Sequence, residues 1–330
     1  MNSTKKNGTT AQIAGDRSHI NYIRIKKRMG ATAQIVRDRQ LYYMLIPFFI
    51  WYILMYYMPM YGIQIAFKDY KPLRGITASE WVGIKHFINF FQSPYCWRVI
   101  RNTILINIYS IITVFPLTIV FALLLNELRS KKFKTIVQTA SYLPHFISTV
   151  IVVGLVISLL SPTTGIINMA RDIFGAERIY FLAKPEYFRT IYIAMGGWQG
   201  IGFGAIIYTS ALCSIDGCLY EAARIDGAGR FKQFLHVTIP GIMPTIAIML
   251  ILKVGSIMSL GMESIILLYQ PITYETADVI SSFVYRIGLE SANPQYSFAA
   301  AVGLFEGVVS LMLVLLANKF SKAVTETSLF

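Results

Sequence analysis

The stretch Tyr220-Glu221-Ala222-Ala223-Arg224-Ile225-Asp226-Gly227-Ala228-Gly229-Arg230, followed by Phe234-Leu235-His236-Val237-Thr238-Ile239-Pro240, is a polar island between two long apolar segments. Asp216 is a favoured N-cap for a short helix that starts at Gly217. Gly227 suits the left-handed residue that closes such a helix. A second short helix from Arg230 is expected to end before Pro240. The stretch therefore predicts a helix–Gly–helix elbow.

The elbow is expected to present a surface of small side chains. Its small residues would let another protein approach the backbone closely: Ala222, Ala223, Gly227 and Ala228. Glu221, Arg224 and Asp226 could then fix the orientation of that protein. This pattern favours a docking surface over a catalytic site. An ordinary cytoplasmic loop between two membrane helices would have the same spacing, so both interpretations stay open at this point.

The composition indicates a membrane protein. Of the 330 residues, 55% are hydrophobic and only 14% are charged, which is too apolar for a typical soluble domain. The apolar residues form runs of about 20, the length that spans a bilayer. The six predicted spans cover residues 41–67, 102–125, 137–160, 191–212, 241–260 and 296–316. The net charge of +13 does not indicate nucleic-acid binding, because no nucleic-acid-binding motif accompanies it.

The distribution of Lys and Arg predicts the orientation of these spans. The N-terminal tail, the turn at 129–134, the elbow and the C-terminal tail together carry 18 of them, against 11 in the opposite loops. Basic residues near the first span bias it toward the cytoplasm. We expect a basic cytoplasmic segment 1–40, a permease domain 41–318 with a coupling loop 213–240, and a cytoplasmic tail 319–330. Residues 20–36 fit either an interfacial helix or a solvated tail.

The elbow resembles the EAA loop of binding-protein-dependent ABC importer permeases. The resemblance rests on Glu-Ala-Ala, three further residues, Gly-Ala, and then His-Val-Thr-Ile-Pro; Ile239 stands where that family usually has Leu. Other segments resemble the branch of LplB-like permeases for complex sugars: Tyr57-Met58-Pro59-Met60-Tyr61-Gly62, Ala66-Phe67-Lys68-Asp69-Tyr70, Trp81-Val82-Gly83 and Tyr142-Leu143-Pro144-His145-Phe146-Ile147-Ser148. The match runs from about Leu41 to the C-terminus.

The resemblance implies a type I ABC importer permease fold and a set of partners. The family pairs two permeases, here expected to be different chains, with two ATPase subunits and an extracellular solute-binding protein that delivers an oligosaccharide. The implied ATPase-coupling residues are Glu221, Ala222, Ala223, Asp226, Gly227 and Pro240. The chain has no GxxxxGK[ST] phosphate loop, so Mg-ATP is expected in the partner ATPase and no cofactor or metal in this chain.

Candidate residues of a substrate path lie near the predicted outer ends of spans four and five. They are Trp198, Gln199, Glu263 and Tyr269. Aromatic faces and amide or carboxylate groups suit sugar rings and hydroxyls, although Trp198 and Tyr269 also fit an aromatic belt at the membrane surface. Gly196, Gly200 and Gly204 share one helix face and predict a close-packed seam.

Lys253 and Glu306 are ionisable residues inside predicted spans. They fall at a similar depth, and a charge there costs about 3 kcal/mol, so each should face protein or water. Three arrangements stay open: the two side chains pair, they line a sugar cavity, or Lys253 caps carbonyls of a bent helix while Glu306 is protonated.

Two other function classes fit the sequence less well than an importer permease. A secondary transporter would favour a visible internal repeat and several intramembrane carboxylates, but only Glu306 qualifies. An intramembrane hydrolase would need an Asp pair, a Ser–His pair or a His/Glu metal set inside the spans, and none is visible. The sequence therefore favours a transport subunit without its own enzymatic activity.

Overall fold

The computed structural model describes residues 39–325, with side chains to residue 322. Most of the predicted basic segment 1–40 and the last five residues lie outside this range. The chain divides into two compact units, residues 1–63 and 64–330. In the first unit the described chain is helical from Arg39 and includes a π-turn at Ile53–Tyr57.

The described chain is mostly helical, and its strands are limited to the two-residue pair β1 (Lys68–Asp69) and β2 (Glu80–Trp81). Its main helices are α1 (Arg39–Phe67), α2 (Lys85–Gln92), α3 (Cys96–Glu127), α4 (Lys131–Phe146), α5 (Thr149–Leu159), α6 (Ile166–Ile173), α7 (Pro185–Cys213), α8 (Gly217–Ile225), α9 (Arg230–Gly255), α10 (Met262–Leu268), α11 (Ile280–Tyr285) and α12 (Tyr296–Thr325).

Five of the described helices, α1, α3, α7, α9 and α12, are long and apolar enough to cross a membrane, and the count is six if the bent pair α4–α5 is one span. The predicted span at 137–160 falls on this pair, but it is bent, since α4 and α5 meet at 99°. The break falls after Pro144, where Ile147 and Ser148 are extended. Proline removes a backbone donor and so favours such a break.

Helix α9 runs through Pro240 without a break, so the prediction of a short helix that ends before this proline is wrong. The reason is a π-turn at Phe234–Thr238, in which the Ile239 N–H bonds to the Phe234 carbonyl five residues back. The wider turn shifts the hydrogen-bond register just before Pro240. The next α-helical segment starts at Ile239, so Pro240 lies in its first turn, where its missing N–H is tolerated.

The core forms where α7 packs along α3. The glycine that allows α7 to approach another helix most closely is Gly202, which is not part of the predicted seam. A Cβ on Gly202 would collide with the Ser141 carbonyl of α4. A Cβ on Gly204 would press on Thr118, but one on Gly196 or Gly200 would meet nothing within 4 Å. The seam prediction is thus right for Gly204 alone, because two of its glycines face open space.

A buried carboxylate ties α3 to the segment that follows α10. Asp278 is fully buried, and its Oδ2 accepts hydrogen bonds from Arg98 at 2.6 Å and Arg286 at 2.8 Å. The Ser282 hydroxyl donates to its Oδ1 at 3.1 Å. Burial opposes the charge on Arg286, but the bonds to Asp278 outweigh it and raise the Arg286 pKa above its ordinary value. We expect this cluster to be the main polar anchor at this end of the bundle.

Candidate coupling elbow and polar cavity

The first helix of the elbow and the turn that closes it have the predicted local structure. The Asp216 carboxylate accepts the Cys218 backbone N–H at 2.9 Å, caps α8 and thereby has its pKa lowered. Gly227 has φ +74°, in the left-handed region. The helix closes with Ala228 N–H bonded to the Ala223 carbonyl at 2.8 Å and Gly227 N–H to the Arg224 carbonyl at 3.0 Å.

Two side-chain contacts join α8 to the start of α9. The hydroxyls of Tyr220 and Thr238 lie 3.0 Å apart. Gln233 donates to the Ala228 carbonyl at 2.7 Å. Because the two helices are fixed to each other at both ends of the turn, the elbow can move as one body with α9.

The exposed surface of the elbow differs from the one predicted. Glu221, Ala222 and Asp226 are exposed as expected, whereas Ala223 is half-buried. The most prominent apolar groups are Ile225 and Phe231, which are 87% and 72% exposed and which the small-residue pattern did not reveal. The sequence feature that could have indicated their exposure is that both are large apolar residues within a polar segment. Pro240, predicted as a coupling residue, is exposed but lies within α9, away from the turn.

A polar cavity of about 360 Å³ lies between α3, α7 and α9. Its polar lining comprises Asn107, Ser110, Thr118, Gln199, Lys253 and Ser264, among others. The Gln199 amide donates to the Ile147 carbonyl at 3.0 Å, which leaves its carbonyl oxygen for another partner. Lys253 is the one charged side chain in the lining of this cavity.

A second space, a groove of about 600 Å³ between α3 and α7, adjoins the polar cavity. Val114, Ile193 and Gly197 line both spaces. Trp198 lines the groove and lies near the middle of α7. The prediction that it lies near the end of a span is wrong, because α7 starts at Pro185, six residues before the predicted start of that span.

The other candidate residues are dispersed. Glu306 on α12 is hydrogen-bonded to Ser259, which lines the polar cavity, but no ion pair of 4.0 Å or less joins it to Lys253. Glu263 is exposed on α10. Tyr269 stacks on Tyr274 at 4.9 Å, outside both spaces. The structure therefore brings Gln199 and Lys253 together and leaves Glu263 and Tyr269 apart from them.

Comparison with known proteins decides the family. Residues 114–326 match the model of the binding-protein-dependent transport system inner membrane component family. The polygalacturonan/rhamnogalacturonan transport system permease protein YteP of Bacillus subtilis is 42% identical over 92% of this chain and 94% of its own length. This chain belongs to that family. The predicted resemblance to ABC importer permeases is confirmed, and the alternatives of a secondary transporter and an intramembrane hydrolase are set aside.

The relatives of this inner membrane component are transport permeases and not enzymes. Protein LplB of Bacillus subtilis is 39% identical over 92% of this chain and 95% of its own length, which confirms the LplB-like branch. A crystal structure of a bacterial ABC transporter involved in the import of the acidic polysaccharide alginate has 47% identity and a TM-score of 0.81, covering 89% of this chain and 98% of that chain. The predicted all-α, multi-pass importer fold is confirmed.

Proposed function

We propose that this permease forms, with a second and different permease chain, the alternating-access path for an oligosaccharide. An extracellular binding protein delivers the sugar, and a separate ATPase that binds Mg-ATP drives the cycle. The observation that carries the proposal is the elbow, which is closed at Gly227 and bears exposed Ile225 and Phe231. Support for the partners comes from a related alginate transporter, 46% identical, whose structure is a complex with a pentasaccharide-bound periplasmic protein.

Helix α9 connects the elbow directly to the polar cavity. It extends without interruption from Arg230 at the elbow to Gly255, and Lys253 lies in its last turn. At 1.5 Å per residue, Arg230 and Lys253 are about 35 Å apart along the helix. An ATPase that moves the elbow would therefore move one wall of the polar cavity. In this scheme Glu221, Ala222, Ala223, Asp226 and Gly227 form or shape the coupling surface.

The polar cavity has the chemistry that a sugar requires. Hydroxyls of Ser110 and Ser264 and the free carbonyl oxygen of Gln199 can exchange hydrogen bonds with sugar hydroxyls. The adjoining groove adds the face of Trp198, which is 53% exposed. The cavity supplies placed polar groups and the groove a largely apolar wall, a combination that is typical of small-molecule sites.

The test of the proposed function is reconstitution. The chain, co-expressed with its second permease and ATPase, is purified and placed in liposomes with the loaded binding protein. We expect copurification of the ATPase and sugar uptake that depends on ATP. A chain that transports sugar without an ATPase, or that never associates with one, would contradict the proposal.

Cysteine labelling is expected to confirm the orientation. In a background without the native cysteines, a membrane-impermeant maleimide should label cysteine at Leu73 or Asn293 from outside intact cells, but not cysteine at Ser130. Leu73 is fully exposed, and Asn293 and Ser130 are exposed as well, so access depends on the side of the membrane. Labelling of Ser130→Cys from outside would overturn the predicted topology. Labelling in permeabilised cells is the control that shows each cysteine to be reactive.

A further inference from the structure

Helix α6 is amphipathic, and its apolar side faces outward. The large residues of that side are Ile166, Ile167, Met169, Ile173 and, directly after the helix, Phe174. Ile173 and Phe174 are 82% and 86% exposed, whereas Asn168 on the polar side is 1% exposed. An amphipathic helix of a soluble domain turns its apolar stripe toward the core. In α6 this orientation is reversed, so another surface has to cover the apolar side.

Asn168 fixes the reversed orientation. Its side-chain amide donates to the Ser161 carbonyl at 3.0 Å and to the Ile179 carbonyl at 2.9 Å. Its carbonyl oxygen accepts the Ile179 backbone N–H at 2.9 Å. The polar side of α6 is thereby joined to the chain on both flanks of the helix, and these bonds would have to break before the apolar side could turn inward.

Two arginines add further bonds on the polar side. Arg178 donates to the Asp172 carboxylate at 2.6 and 2.8 Å and to the Thr163 carbonyl at 3.1 Å. Arg171 donates to the Glu177 carbonyl at 3.0 Å. Because these bonds all use polar groups, the loop closes on itself and holds the apolar side of α6 outward.

The position of α6 in the fold is near an expected membrane surface. It follows α5, which ends at Leu159, and precedes α7, which starts at Pro185. Helix α7 has 29 residues, or about 43 Å, and reaches the elbow at its other end. That length exceeds a bilayer core of about 30 Å, so the start of α7 and the adjacent α6 lie close to the membrane surface opposite the elbow.

The apolar side of α6 continues into an apolar cleft of about 510 Å³ between α5 and α7, which Ile167 lines. The lining extends from Val152 to Leu159 on α5 and from Thr190 to Trp198 on α7, and Trp198 also lines the groove beside α3. Each stretch rises about 10–12 Å, close to the roughly 15 Å of one leaflet of the bilayer core. The cleft therefore has the depth and polarity that suit an acyl chain of one leaflet.

Lipid fits this surface better than a protein does. Interfaces of non-obligate complexes, such as that with a binding protein, are about as polar as the rest of a protein surface. Contacts between membrane helices favour small residues, but this side of α6 consists of large ones. Large apolar side chains beside basic residues are typical of helices that lie in a membrane interface, where Arg171 and Arg178 can meet headgroup phosphates.

We propose that the apolar side of α6 is inserted into the membrane leaflet opposite the elbow and contacts phospholipid acyl chains there. Ile166, Ile173 and Phe174 enter the leaflet, and the cleft between α5 and α7 receives an acyl chain. Helix α6 thus anchors the connection between these two helices at a fixed depth. This role depends neither on the identity of the sugar nor on the ATPase.

Depth-dependent fluorescence quenching tests the proposal. Ile173→Cys, in a background without the native cysteines, is labelled with a small fluorophore in the complete transporter. The transporter is placed in phosphatidylcholine nanodiscs, whose two faces are both open to solution. Phosphatidylcholine with a nitroxide near the headgroup end of an acyl chain quenches groups in the leaflet, and iodide quenches groups in water.

Glu177→Cys is the matched control, because Glu177 is exposed in the same loop but does not belong to the apolar side of α6. We expect the nitroxide lipid to quench position 173 at least threefold more strongly than position 177, and iodide to show the opposite preference. Ile166→Cys, a second exposed site on the apolar side, should behave like Ile173→Cys.

Two results would overturn the proposal. Iodide quenching of position 173 as strong as that of position 177 would place α6 in water. Protection of positions 173 and 166 from both quenchers would show that a protein, such as the second permease, covers the helix. Failure of the proposed function is distinguishable, since a chain that never associates with an ATPase can still be measured for lipid contact.

Discussion

Replacement of Gly227 by valine is expected to reduce association with the ATPase subunit by at least tenfold while the chain still inserts into the membrane. Gly227 has φ +74°, and a β-branched residue in this left-handed region is strained by roughly 1–3 kcal/mol. The added Cβ would meet no atom within 4 Å, so the effect comes from the backbone conformation and not from a clash. Copurification of the ATPase and ATP-dependent uptake measure the loss.

Two substitutions separate backbone strain from other causes. Gly227→Asn should be nearly as active as the wild type, since Asn tolerates the left-handed region. Gly229→Ala should be neutral, because Gly229 has φ −66° and open space around its Cβ position. If Gly227→Val retains wild-type association, or if Gly229→Ala is equally damaging, the elbow does not act through the conformation of Gly227.

Replacement of Asp278 by asparagine is expected to destabilise the chain by about 3–5 kcal/mol, because it leaves two half-buried guanidinium groups without their shared counter-charge. Asp278 is fully buried and accepts from both Arg98 and Arg286. Thermal unfolding of the detergent-purified permease, followed by circular dichroism, measures the effect.

Asp172→Asn is the control for loss of a salt bridge at an exposed site. Asp172 accepts from Arg178 at 2.6 Å, but both side chains are exposed, and such pairs contribute little to stability. Arg286→Met in the Asp278→Asn background should recover part of the lost stability, since it removes one unpaired, half-buried charge. Equal unfolding temperatures for the Asp278 and Asp172 variants would show that the buried cluster does not anchor the fold.

The elbow could be predicted because its determinants are local in sequence. Asp216 caps the helix that follows it, and Gly227 closes that helix, so each acts within one turn. The membrane spans were likewise predictable from the length of their apolar runs. The bend after Pro144 was missed because a span was assigned from hydropathy, which does not distinguish a straight helix from a broken one.

The features that the sequence did not reveal depend on distant contacts. Asp278 lies 180 positions from Arg98, and no local pattern indicates that they meet. Gly202, and not Gly196 or Gly200, meets another helix because the rotation of α7 is set by its neighbours. Gln199 and Lys253 line the same cavity, as expected for residues of one substrate path. Their proximity could not be predicted, because it depends on how α7 and α9 pack.

Photo-crosslinking from the elbow tests the central claim most directly. A photoreactive amino acid at Ile225, which is 87% exposed, is activated in cells that express the assembled transporter, with the 82% exposed Ile173 on α6 as the matched site. We predict that position 225 crosslinks to the ATPase subunit and that position 173 does not. Two results would contradict the assignment of this elbow as the ATPase-docking surface. One is a crosslink between position 173 and the ATPase, and the other is no crosslink from position 225 in a transporter that still imports sugar.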